Sequence, residues 1–190
     1  MSYSRYDNRE KDSRSGVIQS GPQVRKCPPL LADLCLLAVK VILILLFIGI
    51  LFTFIFGVTQ VRDSSMAPAI REGDLVVYYR LQKDYAAQSV IALSVDGRTQ
   101  IRRVIGTGGD EISISENGLM INSYPQVESG IYTDTLPYAG GIIFPVTLKG
   151  DQVFVLGDNR TAAKDSRMYG AVDKSATLGT VVAVIRRRGF

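Results

Sequence analysis

An all-β domain carried on a single N-terminal membrane helix is the architecture this sequence predicts. Three observations predict it. An uncharged apolar run extends from Val41 to Val58. Short stretches rich in Val, Ile and Tyr follow, parted by turn formers. The later part contains no long amphipathic pattern of helical period.

The 190 residues leave room for one compact domain and an anchor. Residues 1–29 are polar, charged and Ser-rich and end in Pro28-Pro29, the composition of a mobile cytoplasmic tail. Residues 30–60 read as the anchor. The run VILILLFIGILFTFIFGV comes close to the ~20 residues that cross a ~30 Å hydrocarbon core as a helix. Leu36, Leu37 and Val39 extend it upstream, and Lys40 is near enough to the end to snorkel. A cleaved secretory signal would have a shorter apolar region and a small-residue cleavage site. Arg5, Arg9, Lys11, Arg14, Arg25 and Lys26 precede the span, an excess that keeps this side cytoplasmic and delivers residues 61–190 outside the cell membrane.

The exported part reads as strands at Leu75–Tyr79, Ser89–Val95, Ile101–Ile105, Val153–Leu156 and Val181–Ile185. Glu72-Gly73-Asp74, Asp96-Gly97, Gly108-Gly109-Asp110, Asn117-Gly118 and Gly140-Gly141 supply turns, with Asn117-Gly118 the best hairpin signal. Cys27 and Cys35 lie before and at the start of the span, so the outer domain has no cysteine and relies on its own core. Cys27 is a candidate for acylation, and a structurally idle thiol is the simpler reading of it. The chain has no histidine, which excludes Ser-His and Cys-His catalysis and leaves zinc without imidazole ligands; no metal or cofactor is expected. The formal charge of +4 is scattered and carries no nucleic-acid-binding signature, so membrane lipid headgroups are its simpler partner.

Three segments can hold chemistry. Arg62-Asp63-Ser64-Ser65-Met66-Ala67-Pro68 begins just after the span, and the residues from Val58 to Ser65 reach at most roughly 25 Å, which keeps Ser65 near the membrane surface. Gln100-Ile101-Arg102-Arg103-Val104-Ile105-Gly106 is the second. Gly157-Asp158-Asn159-Arg160 with Asp165-Ser166-Arg167 is the third. Singly, each has an ordinary explanation: a strand start, a strand with two outward arginines, a tight turn. In this order behind an anchor, they resemble the conserved boxes of the type I signal peptidase family, over Val41 to Arg187.

The resemblance implies a barrel-like domain of antiparallel sheets at the outer membrane face that removes signal peptides from exported precursor proteins. It makes Ser65, before Met66-x-Pro68, the nucleophile. It gives the residue before Arg103 the role of general-base lysine, and it assigns bracing roles to Asp158, Asp165, Ser166 and Arg167. A serine hydroxyl needs such a base, and a lysine serves when burial lowers its pKa.

The sequence departs from this pattern at three places. Arg102 stands at the lysine position, and a guanidinium is effectively never deprotonated in proteins. Ala163 stands where the family carries a serine that orients the lysine. Asp63 stands where Gly or Ser flanks the oxyanion hole. A carboxylate facing the site there would oppose the charge developing on a tetrahedral intermediate; outward orientation or pairing with Arg102 are the other arrangements open to it. Ala69, where Thr is common, is a milder change. Lys83 and Lys164 occupy no matching position, and Lys164 reads as a solvent-facing loop charge. Two functions follow: a signal peptidase with impaired catalysis, or a non-catalytic precursor- or pilin-binding assembly factor. The closing Val-Ile-Arg-Arg-Arg-Gly-Phe is similar to the signal-peptidase-like branch associated with surface pili.

Overall fold

The computed structural model of the chain describes residues 29–186. The basic tail that sets the expected orientation, Cys27, and the closing Arg187 to Phe190 lie outside the described residues.

Helix α1 runs from Pro29 to Ile55, 27 residues, or about 40 Å at ~1.5 Å per residue. Proline suits the first position, where the missing N–H has no intrahelical partner. Every side chain from Leu30 to Phe54 is exposed, so the helix is apolar on all sides. Such a helix suits lipid, and this one is long and apolar enough to cross a membrane. The helix ends at Ile55, five residues before the end of the segment read as the anchor. Strand β1 occupies Phe56–Gln60 and pairs antiparallel with β2, Leu75–Tyr79. Phe56, Gly57 and Val58 are as apolar as the helix before them, and the pairing decides their conformation.

The described residues divide into two units, one ending at Ile44 and one beginning at Leu45. All that follows concerns the second. After β2 come β3 (Val90–Val95), β4 (Arg98–Thr107), β5 (Glu111–Ser115), β6 (Gly118–Ile121), β7 (Tyr124–Pro125), β8 (Val146–Thr147) and β9 (Gln152–Leu156). The one-turn helix α2 (Ser166–Tyr169), β10 (Val172–Asp173) and β11 (Thr177–Ile185) complete the chain. A seven-stranded sheet has the order β1-β2-β11-β3-β4-β9-β10, a four-stranded one β7-β6-β5-β8, and every pair is antiparallel. The all-β domain with one apolar N-terminal helix is therefore the fold.

The turn signals act as their chemistry requires. Asp96 and Gly97 both take positive φ, 52° and 71°, in the two-residue loop between β3 and β4, as a type I′ turn demands. At the second hairpin the register shifts by one from expectation. Glu116-Asn117 form the loop, and Gly118, with φ of 94°, opens β6 opposite Ser115.

Three clusters make the core. One joins Val61, Met66, Ile70, Val76 and Ile101; a second joins Ile91, Leu93, Val104 and Val155; the third packs the small sheet through Ile112 and Ile114 against Phe154 and Leu156. The register of β11 slips between Thr177 and Gly179 as it crosses from β3 to β2. Gly179 has φ of 146°, and a Cβ there would collide with the carbonyl oxygen of Tyr79. Gly179→Ala is therefore expected to cost about 2 kcal/mol, read as a fall in melting temperature of the full chain in detergent.

Candidate active site

The three segments meet around Ser65. The turn after β1 carries Ser65, and Met66 beside it is fully buried among Val76, Ala92 and Ile101, which fixes the turn to the sheet. Pro68 lies exposed in the same turn. The Ser65 carbonyl accepts the backbone N–H of Asn159 at 2.9 Å, and the Asn159 side chain donates to the Ser64 carbonyl at 3.3 Å. Gly157 packs so close that a Cβ would sit 2.6 Å from the Ser65 oxygen. The glycine of the third segment is thus required by close approach, a use beyond that of a tight turn.

Arg102 and Arg103 do not both face outward. Successive side chains of a strand leave on opposite faces, and the two find different partners. Arg102 is 2% exposed. Its Nη1 donates to Ser65 Oγ at 2.6 Å and to the Ile101 carbonyl at 2.6 Å; its Nε and Nη2 donate to the Lys164 carbonyl at 3.1 and 2.8 Å. The guanidinium is held by hydrogen bonds, and among the described residues it makes no ion pair. Arg103 instead grips Asp158 with both ends of its fork, at 2.7 and 2.6 Å, which raises its pKa further above the ordinary arginine value.

Asp63 turns toward Ser65. Its Oδ1 accepts the Ser65 backbone N–H at 3.0 Å and also the Ser65 hydroxyl. Neither the outward orientation nor the Arg102 pair is found; the serine stands between the two charges, donating to one and accepting from the other. Of the two groups that hydrogen-bond Ser65 Oγ, only the Asp63 carboxylate can take up a proton.

Among the described residues no lysine hydrogen-bonds Ser65 Oγ. Lys164 meets Arg102 through its backbone carbonyl while its side chain is exposed, and Lys83 Nζ donates to the carbonyl of Thr177, with burial lowering its pKa. Ala163 is buried against Gly157 and offers no hydrogen bond to the site.

The rest of the third segment is a brace. Asp165 is fully buried, caps α2 by accepting the Arg167 N–H at 3.1 Å, and accepts the Gly157 N–H at 3.1 Å. Arg167 returns two bonds to the Asp165 carboxylate, both 2.9 Å, and donates to the Arg160 and Leu136 carbonyls. The Ser166 hydroxyl accepts the Val155 N–H at 3.0 Å. These residues shape the Gly157 turn, and through it the seat of Ser65.

Sequence reasoning missed two groups. Buried Arg160 forms an ion pair with Glu128 at 2.6 Å and donates to the Gly157 carbonyl at 2.8 Å; burial lowers its pKa and Glu128 works against that. The Tyr169 hydroxyl is buried without a hydrogen-bond partner among the described residues, and burial pushes its pKa well up against the opposing charge of Arg102. Arg160 closes the first half of the third segment, where the sequence gives it no role of its own; the Tyr169 hydroxyl has no signal in its surrounding residues.

The chain is similar to known proteins over most of its length. A protein of Synechocystis sp. named "Probable signal peptidase I-2" is 28% identical over 174 residues, spanning 86% of this chain and 78% of its own length. Signal peptidase I of Bacillus licheniformis is 26% identical over 156 residues, 75% of this chain and 83% of its own. Signal peptidase IB of Staphylococcus aureus is 26% identical over 164 residues, 77% and 85%. The family described as "Signal peptidase, peptidase S26" matches residues 34–186, which contain most of helix α1, Ser65, Arg102 and the brace, and the chain belongs to that family.

Proposed function

We propose that this member of the signal peptidase family engages exported precursor proteins at the outer face of the cell membrane, with its N-terminus cytoplasmic, and holds them without cleaving them at an appreciable rate. The observation that carries this reading is the Arg102 Nη1 contact with Ser65 Oγ at 2.6 Å. A permanent cation sits where a proton acceptor is needed, and its four hydrogen bonds hold it there. Asp63 adds a second obstacle. The Ser65 N–H, a donor that a serine nucleophile can offer to a developing oxyanion, is already given to a carboxylate. A pilin subunit, itself an exported protein, is one client such a groove would serve.

A specific contact favours a second reading. The Ser65 hydroxyl donates to Asp63, so a cleaving enzyme with Asp63 as its base is the competing mechanism. A carboxylate is a weak base toward an alcohol, and the negative charge beside the oxyanion position works against it.

The full chain in detergent, given a fluorescent precursor peptide with small residues at the cleavage site, is expected to bind the peptide and to release no more product than Ser65→Ala. Turnover by the parent chain that both Ser65→Ala and Asp63→Asn abolish would overturn the non-cleaving reading and establish the second.

A further inference from the structure

A groove of about 740 Å³ opens beside the serine, with Asp63 and Arg102, the two groups that hold Ser65, in its lining. Its other charged walls are Arg62, Arg98 and Lys164, and Asp63 is the one acidic residue among them. Arg62, Arg98 and Lys164 are exposed and form no ion pair or side-chain hydrogen bond among the described residues. With four basic residues against one acidic in its lining, the groove has a net positive charge, which favours a ligand of the opposite sign.

We propose that this groove selects a precursor segment with acidic side chains flanking its small residues, and that Arg98 and Lys164 are the specificity-determining residues. The inference rests on the precursor-binding reading above and adds the chemistry of the client. The spacing is readable from the strand. Lys164 meets Arg102 through its carbonyl. Arg98 lies four positions before Arg102 on β4, about 13 Å away at ~3.3 Å per residue. An extended peptide with its small residue beside Ser65 therefore brings the side chain about four residues away to Arg98.

Two fluorescent peptides test this against the full chain in nanodiscs of zwitterionic lipid. One carries Asp or Glu at the fourth residue on each side of the small-residue core; the other carries Asn or Gln there. The acidic peptide is expected to bind about tenfold more tightly at low salt. Added salt should narrow that ratio, and Arg98→Gln with Lys164→Gln should bring it toward one. Equal binding of the two peptides, or a preference that persists in the double variant and at high salt, overturns the inference and leaves the precursor-binding reading intact. Binding of neither peptide overturns both.

Discussion

Arg102→Lys combined with Asp63→Gly and Ala163→Ser is expected to make the full chain cleave a precursor peptide at least about 100-fold faster than the parent. The three changes address three separate deficits. A lysine restores a group that can lose a proton, and the 2% exposure of position 102 disfavours its charged form and lowers its pKa. Arg102→Lys alone should give much less, because the Asp63 carboxylate on the far side of Ser65 would stabilise the ammonium and keep it protonated. Asp63→Gly removes that charge and also frees the Ser65 N–H, now given to Asp63 at 3.0 Å, for the oxyanion. Ala163→Ser places a hydroxyl in the segment whose next carbonyl, that of Lys164, already meets residue 102. The pH profile carries the signature: a lysine base works deprotonated, so the acquired activity should rise with pH through the lysine pKa. Ser65→Ala in the triple background should return cleavage to the baseline. A parent chain already as fast as the triple variant would remove Arg102 as the obstacle.

The sequence displayed the local features well and the long-range ones poorly. Asp96-Gly97 read as a turn because its two residues tolerate positive φ, and both adopt it. Arg102 read as a defect because a guanidinium cannot do a base's work in any fold. The end of the helix was hidden, since Phe56-Gly57-Val58 satisfy a membrane span and a strand equally, and only the register with Val77, Tyr78 and Tyr79 separates them. Asp63 was recognised as out of place, yet its orientation depends on how the turn after β1 folds back on itself. The Arg160–Glu128 pair joins two segments with no shared pattern, and nothing in either points to the other.

Asp165→Ala is expected to be the most destabilising single substitution proposed, at about 3–5 kcal/mol. The carboxylate is fully buried and serves the Gly157 N–H, the Arg167 N–H and the Arg167 guanidinium together. Truncation leaves Arg167, itself 3% exposed, as an unpaired charge away from water. In a thermal melt of the full chain in detergent, the loss should appear as a fall of roughly 10 °C or more. Asp158→Ala should cost less, because the side chain of its partner Arg103 is 22% exposed and can still reach water. Pairing Asp165→Ala with Arg167→Met removes the stranded charge, so the double variant should melt above Asp165→Ala alone. Equal melting of Asp165→Ala and the parent would mean that the pair does not hold the Gly157 turn. The seat of Ser65 would then rest on the packing of Met66 and on the Asn159 and Arg160 hydrogen bonds.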